Sequence, residues 1–240
     1  EVIDLKGSWK YKLGVKMAAL PGQTFIRWKP VGLYNAMIAP LKNYGIKGVL
    51  WYQGESSTKK PEEYSALMES FPFLYVQLTK FMAPKTEPGE SNWAALRQQQ
   101  KNTLAIPNTG MAVTIDLGEW NDIHPLNKYD VGKRLSLLAR KMVYGEKNLV
   151  ASGPLFKAMK QKGNKLILSF TDIGTGLISK ENKPLKAFEI AGNDGKFVWA
   201  NAVIEGDKII ISNETILNPS RVRYAWADNP DQANLYNKEN

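Results

Sequence analysis

The stretch "IKGVLWYQGESS" (residues 46–57) decides the fold. Its first half is a short apolar run, and its second half consists of small polar residues. This profile is typical of a buried parallel strand that ends in an active-site loop. Two further runs have the same character, "FPFLYVQL" (71–78) and "GMAVTIDLG" (110–118). The three runs predict three neighbouring strands of a parallel sheet.

Helical patterns separate these strands. "SNWAALRQQQKNTLA" (91–105) predicts a helix with Ser91 as its N-cap. "NKYDVGKRLSLLARKMVYG" (127–145) predicts an amphipathic helix closed by Gly145. A third helical stretch covers residues 33–44, interrupted by Pro40. Strands that alternate with helices indicate an α/β fold.

The pattern changes at about residue 151. Short alternating runs follow one another, "NKLILSFTD", "LKAFEIAG", "KFVWANAVIEGDKIIISN" and "SRVRYAWAD", with hairpin-type turns at "GNDGK" and "EGDK". We therefore predict three portions: the tail of a preceding β segment over 1–30, the α/β portion over 31–150, and a small antiparallel β module over 151–240.

One junction within the α/β portion is unusually short. "PEEYSALMES" (61–70) begins a helix, yet the strand "FPFLYVQL" follows immediately. A helix that runs into a strand without a loop is below the usual connection length. We expect residues to be missing from this sequence between Ser70 and Phe71.

Composition excludes several classes of function. The 240 residues contain no cysteine and a single histidine, which excludes disulfides, thiolate metal sites and cysteine nucleophiles and disfavours zinc. The net charge is +9, but the basic residues are dispersed, which favours a solvated surface over nucleic-acid binding. The sequence has neither an apolar run long enough to span a membrane nor a signal peptide at its start, and it does not begin with Met.

The single histidine, His124, lies in "NDIHP" after the third predicted strand. A histidine can take a proton from a nucleophile and return it to a leaving group, provided that a carboxylate orients its ring. Asp122, two residues earlier, and Glu55, in the loop after the first strand, are the two candidates for that carboxylate. On spacing alone, His124 is either a catalytic base or a surface or capping histidine.

The first loop offers groups suited to an oxyanion. Gln53 carries an amide donor, and Gly54 lets the backbone approach a substrate closely. A polar turn without a catalytic role is an equally good interpretation of the same residues. Ser56 and Ser57 are expected to cap the segment that follows, and no G-x-S-x-G elbow is present.

Several segments together resemble the sialate O-acetylesterase family of the SGNH (GDSL-like) serine hydrolases. They are "KPVGLYNAMIAPLKNYGIKGVLWYQGESS", "FPFLYVQL", "WAALRQQQ", "DLGEWNDIHPLNKYDVGKRL" and "VRYAWADNPDQANLYN". The pair "WYQGES" and "DIHPLNK" is specific, whereas either motif alone would be modest. The resemblance implies a three-layer α/β/α fold, incomplete here, with a small C-terminal antiparallel module. It also implies a serine esterase that removes O-acetyl groups from sialic acids or related sugars without a cofactor, in a secreted, periplasmic or lysosomal setting.

The resemblance also assigns roles to residues. His124 is the general base, and Asp122 or Glu55 is its acidic partner. The oxyanion and substrate-binding positions that it implies are Gln53, Gly54, Asn35 and Arg97. The last two could equally be packing or surface residues.

Two departures from the family pattern stand out. The family's nucleophile lies in a Gly-Gln-Ser-Asn block ahead of "WYQGES", and no such block occurs here, so the serine is expected outside these 240 residues. Ser57 replaces the more usual asparagine of "GESN", which removes an amide.

A carbohydrate-binding module without chemistry is the alternative function. The tryptophans that could stack on sugars are Trp51, Trp93, Trp120, Trp199 and Trp226. Most of them lie in apolar runs and are expected to pack in the core.

Overall fold

The computed structural model describes residues 39–41, 45, 47–63 and 73–239. The chain divides into two compact units, Glu1–Ile46 and Lys47–Asn240. In the first unit, the described element is a 3-10 turn at Ala39–Leu41. The predicted helix over 33–44 and the junction between residues 70 and 71 fall mainly or wholly outside the described residues. Of the predicted helix over 61–70, the structure describes a 3-10 turn at Pro61–Glu63.

The second unit begins with a parallel sheet of three strands. These are β1 (Val49–Trp51), β2 (Phe73–Val76) and β3 (Gly110–Ala112), in the order β1-β2-β3. Trp51 pairs with Tyr75, and Tyr75 pairs with Met111, so the three strands end at the same level. The loops that follow them therefore emerge at one edge of the sheet. The prediction of a mixed α/β fold is confirmed.

The predicted burial of the first strand is wrong. Leu50 is 64% exposed and Trp51 is 42% exposed, whereas Tyr75 in β2 is fully buried. β1 pairs with β2 along one edge, and no strand pairs with its other edge within the described part of the chain. The apolar run forms a strand, as predicted, but as an edge strand whose Leu50 and Trp51 side chains are exposed.

Two helices pack on opposite faces of this sheet. α1 (Asn92–Asn102) buries Trp93 and Leu96 in a cluster with Tyr75 of β2. α2 (Lys128–Met142) buries an apolar stripe in a cluster that includes Leu74 and Val76 of the same strand. Successive side chains of a strand point to opposite faces, so the two helices flank the sheet.

The helix ends follow the sequence signals. The Ser91 hydroxyl accepts a hydrogen bond from the Ala94 backbone N–H at 2.9 Å, which confirms Ser91 as the N-cap of α1. The Asn127 side chain caps α2 by accepting from the Asp130 backbone N–H at 3.0 Å. Gly145, three residues after α2 ends, has a φ of +81°, the left-handed conformation that favours glycine.

The remaining strands are antiparallel and form three small sheets. Their bounds are β4 Leu155–Lys162, β5 Lys165–Thr171, β6 Leu177–Ser179, β7 Phe188–Ala191, β8 Val198–Trp199, β9 Asn201–Glu205, β10 Lys208–Ser212, β11 Arg221–Tyr224 and β12 Leu235–Asn237. The sheet orders are β4-β5-β10-β9, β11-β7-β8 and β12-β6. As the sequence predicts, a tight turn joins β9 to β10, with Gly206 at a φ of +62°.

A polar network ties this antiparallel module to the α/β portion. Arg134 of α2 donates two parallel hydrogen bonds to the Asp116 carboxylate, at 2.6 and 2.8 Å, and Tyr236 of β12 donates a third at 3.0 Å. Burial alone would raise the pKa of Asp116, but the Arg134 hydrogen bonds and charge outweigh it and hold that pKa below its usual value. Asp116 therefore stays ionised and joins loop, helix and module.

Candidate active site

The candidate site lies at the carboxyl edge of the parallel sheet. Two loops supply it: the loop after β1, which contains Gln53 to Ser57, and the loop from β3 to α2, which contains His124. Ligands bind outside the carboxyl ends of the strands in open α/β sheets. The strand register therefore places both sequence motifs at the edge where such sites occur.

His124 and Asp122 form a local pair. The Asp122 Oδ1 atom accepts the His124 backbone N–H at 2.8 Å and lies 3.5 Å from the His124 Nδ1 atom. The His124 side chain is 87% exposed, and that of Asp122 is 44% exposed. A carboxylate at Nδ1 favours the tautomer that leaves Nε2 as the proton acceptor. At 3.5 Å the side-chain contact is longer than the roughly 2.6–3.2 Å of a catalytic hydrogen bond, and the role of His124 as a base stays a prediction.

Buried neighbours hold this loop in place. Ile123 packs partly buried against the cluster around Tyr75, and Pro125 is buried. Gly118 lies so close to the neighbouring loop that a Cβ atom there would be 2.1 Å from the Lys80 carbonyl oxygen. The exposed His124 thus lies between two packed residues, Ile123 and Pro125. At position 118 of the same loop, only glycine fits without a clash.

The first loop folds back on itself. The Gly54 backbone N–H donates to the Glu55 Oε2 atom at 3.0 Å, and the Gly54 carbonyl accepts the Ser57 N–H at 2.9 Å. Gly54 is buried, and a Cβ atom there would lie 3.0 Å from the Gln100 Nε2 atom. Gln53 is half-buried. The Glu55 carboxylate therefore occupies the backbone N–H of Gly54, one of the two residues that the resemblance assigns to the oxyanion.

A contact that the sequence analysis missed joins the two loops. Lys128, the first residue of α2, donates from Nζ to the Tyr52 hydroxyl at 3.2 Å and lies 4.6 Å from the centre of the Tyr52 ring. Tyr52 lies in the motif "WYQGES", and Lys128 lies in the motif "DIHPLNK". Their presence in these two motifs was the signal that the sequence offered for this contact, because the two residues are 76 positions apart.

The other two predicted site residues differ in placement. Asn35 lies outside the described residues. Arg97 of α1 is only 4% exposed, and its Nη2 atom donates to the backbone carbonyls of Ala225 and Ala227 in the antiparallel module. Arg97 thus holds the module against α1, and its assignment to substrate binding stays a prediction.

The tryptophans divide differently from the sequence expectation. Trp93 is buried, but Trp51, Trp120 and Trp199 are 42%, 61% and 40% exposed. The expectation that most of the five pack in the core is therefore wrong for these three. Trp120 precedes Asp122 by two residues in the same loop. It presents a broad apolar ring to solvent close in sequence to His124.

No cluster of three residues suited to hold a metal ion occurs among the described residues. Within the same ranges, no helix has the length and apolar character needed to cross a membrane.

Comparison with known proteins identifies the family. Residues 5–140 match the family of carbohydrate esterases described as sialic acid-specific acetylesterases. This match covers more than half of the chain and includes both loops of the candidate site. The chain belongs to this family, and the resemblance read from its two motifs is confirmed.

Individual relatives agree. The sialate O-acetylesterases of Rattus norvegicus and Homo sapiens are each 30% identical to the chain, over 90% and 93% of its length and 47% and 50% of theirs. A crystal structure of a carbohydrate acetylesterase from Xanthomonas citri is 43% identical and superposes with a TM-score of 0.80 over 86% of this chain and 51% of that one. The chain spans about half the length of the curated relatives that it matches.

Proposed function

We propose that the protein acts as a carbohydrate O-acetylesterase that hydrolyses O-acetyl esters of sialic acid or related sugars. The single observation that carries this proposal is the His124–Asp122 pair, exposed at the carboxyl edge of the sheet, in a chain of an acetylesterase family. The substrate is an acetylated sugar, and the setting is secreted, periplasmic or lysosomal. The fold is an SGNH-like three-layer arrangement over 31–150 with the antiparallel module over 151–240.

The proposed reaction is acyl transfer to serine followed by hydrolysis. A serine outside these 240 residues attacks the acetyl carbonyl, and His124 Nε2 takes the hydroxyl proton as the serine Oγ–carbon bond forms. His124 then gives this proton to the sugar oxygen as the ester bond breaks. In the second step, His124 takes a proton from water, the water oxygen attacks the acyl-enzyme, and the proton returns to serine as acetate leaves.

Asp122 is the proposed orienting carboxylate. It lies 3.5 Å from the His124 Nδ1 atom, whereas the contact that Glu55 makes is with the Gly54 N–H at 3.0 Å. The proposed role of Glu55 is to hold the loop with Gln53 and Gly54, whose amides stabilise the oxyanion once substrate displaces the Glu55 carboxylate. The closed Gly54–Glu55 contact is then the resting state of that loop.

Matched carboxamide variants in the full gene product test this assignment. Asp122→Asn retains an oxygen that accepts the His124 N–H but removes the charge that stabilises the imidazolium. We expect a loss of roughly a hundredfold or more in kcat for acetate release from an O-acetylated sialic acid. Glu55→Gln should cost less than about tenfold. A larger loss for Glu55→Gln than for Asp122→Asn would contradict the assignment.

Asp194 provides the control. Its Oδ1 atom accepts the backbone N–H of Lys196 two residues later, at 3.2 Å, in the same local arrangement as Asp122 and residue 124. No histidine is involved there. Asp194→Asn should leave kcat unchanged. His124→Ala must abolish the acyl transfer, and retained ester hydrolysis in that variant would refute the proposed function.

A carbohydrate-binding role without chemistry is the second candidate. The exposed ring of Trp120 favours it, because sugars stack on exposed aromatic faces. The two functions separate cleanly in one pair of measurements on the full gene product. Glycan binding that survives His124→Ala, together with no release of acetate by the unmodified protein, would establish the binding role instead.

A further inference from the structure

One cavity is lined by Val113, Ile115 and Asp116 at the start of the loop from β3 to α2, but not by the residues of the candidate active site farther along that loop. It has a volume of about 490 Å³ and lies between the parallel sheet and the antiparallel module. Met111, Ala112 and Val113 all line it. Successive side chains of a strand point to opposite faces, so a cavity that touches three in a row runs along the outer edge of β3. His124, Asp122 and Glu55 are not among its lining residues.

Two hydrogen-bond donors in the wall of this cavity have no acceptor. The Arg97 Nη1 atom and the Trp226 Nε1 atom are both buried and unpartnered in the part of the chain that the structure describes. Arg97 Nη2 donates to the carbonyls of Ala225 and Ala227, on either side of Trp226, so the two donors belong to one junction. A buried donor without an acceptor is unfavourable, and a ligand that supplies an acceptor would remove this penalty.

The charges around the cavity leave a positive excess. The Asp116 carboxylate in its wall is already bound by both terminal nitrogens of Arg134. Arg97 forms no ion pair within the described residues, and burial lowers its pKa to about 9, although the charge of Asp228 acts in the opposite direction. Lys101 also lines the cavity, with its Nζ atom 6.0 Å from the centre of the exposed Phe156 ring. An anion would therefore be stabilised here.

We propose that this cavity binds a small organic carboxylate whose oxygens accept hydrogen bonds from Arg97 and Trp226 and whose apolar body packs against Phe170 and Leu168. Arginine pairs well with a planar carboxylate. The apolar walls favour a monoanion over a phosphate, because each additional buried charge must lose its hydration. Both nitrogens lie beneath the cavity surface, so binding requires a small shift of the Trp226 ring and of the Arg97 guanidinium, whose Nη2 atom keeps its bonds to the Ala225 and Ala227 carbonyls.

Isothermal titration with an acid and its neutral analogue tests the proposal. The probes are 4-phenylbutyrate and 4-phenylbutan-1-ol, which share the apolar body and differ in the carboxylate. We expect the acid to bind with a dissociation constant roughly tenfold or more below that of the alcohol. This comparison uses the unmodified protein, so it does not depend on the folding of any variant. Equal affinities, or no saturable binding of the acid in the millimolar range, would overturn the proposal.

Two variants locate the acid within the molecule. Arg97→Met should weaken the acid roughly tenfold and leave the alcohol unchanged, and Trp226→Phe, which keeps a ring but removes the N–H, should weaken the acid several-fold. Arg221→Met is the matched control, since Arg221 is exposed on β11 and does not line the cavity. Unchanged binding of the acid in both Arg97→Met and Trp226→Phe would refute the site.

One more variant separates this site from the esterase site. His124→Ala should bind the acid as the unmodified protein does, because His124 does not line the cavity. If His124→Ala abolishes acid binding, the acid occupies the esterase site and the second site is refuted. Loss of esterase activity in that variant with unchanged acid binding would support both proposals independently.

Discussion

Gly118 is where the packing of the loop that contains His124 is least tolerant of change. A Cβ atom at this position would lie 2.1 Å from the carbonyl oxygen of Lys80 and 3.0 Å from its backbone nitrogen. Both are backbone atoms, so no side-chain rotation relieves the clash. Ordinary carbon–oxygen contact is over 3 Å, as for the weak C–H···O contacts between strands, so Gly118→Ala must separate the two loops by about 1 Å.

That displacement sets the size of the expected effect. Overpacking a well-packed interior costs about 1–3 kcal/mol, and the absence of any flexible neighbour places Gly118→Ala in the upper half of that range, at about 2–3 kcal/mol of unfolding free energy. Activity should fall as well, because a catalytic group misplaced by about 1 Å can lose roughly a hundredfold in rate. Both effects have one cause, the shift of the loop that holds His124.

Gly132 offers a matched control for the same chemical change. It lies in α2, it is exposed, and a Cβ atom there would have no neighbour within 4 Å. Gly132→Ala should stabilise the protein by about 0.5–1 kcal/mol, since alanine loses less backbone entropy in a helix. Urea denaturation at neutral pH measures both variants, and acetate release by the full gene product gives the activity. If Gly118→Ala proves as stable and active as Gly132→Ala, the steric argument is wrong.

Three other changes have definite expected outcomes. Asp116→Asn should lower the unfolding free energy by about 3 kcal/mol at neutral pH, because it leaves the Arg134 charge unpaired. Since the pKa of Asp116 is depressed in the folded protein, this stabilisation is complete above the unfolded pKa of about 4 and should shrink as the pH falls through the lower folded value. Urea titrations at a series of pH values would check this trend. Ser91→Ala should lower the unfolding free energy by about 1 kcal/mol or more, since the hydroxyl caps α1 and also donates to Asp228 at 2.5 Å. Thermal or urea unfolding measures this, and an unchanged unfolding free energy would show that the cap does not stabilise the protein. Trp120→Ala should raise KM for an O-acetylated sugar several-fold while leaving KM for a small aryl acetate unchanged, and an equal change for both substrates would exclude stacking on the sugar.

The sequence predicts the elements better than their surroundings. The strands β1, β2 and β3 were visible as short apolar runs that end in polar residues, and Ser91 was visible as a cap, because both signals are local. The exposure of Leu50 was not visible, since an apolar run has the same letters whether or not its edge is covered. A strand pattern reports the backbone conformation and says little about which neighbours exist.

The candidate site shows the same division. His124 and Asp122 are two positions apart, so their contact was one of the two alternatives that the sequence offered, whereas the contact of the Glu55 carboxylate with the Gly54 N–H was not foreseen. The burial of Arg97 could not be predicted, because its partners lie 128 and 130 positions along the chain. Long-range contacts of this kind depend on how the antiparallel module docks, for which no local pattern exists.

The loop between β3 and α2 contains both tightly packed and exposed residues. Its path is fixed by the packing of Gly118, Ile123 and Pro125. The side chains of Trp120 and His124 are exposed and do not pack in the core. Substitutions at position 120 should therefore leave the protein folded, whereas substitutions at 118 and 125 should destabilise it. If the proposed function holds, a library randomised at position 120 alone should yield folded variants with altered sugar preference.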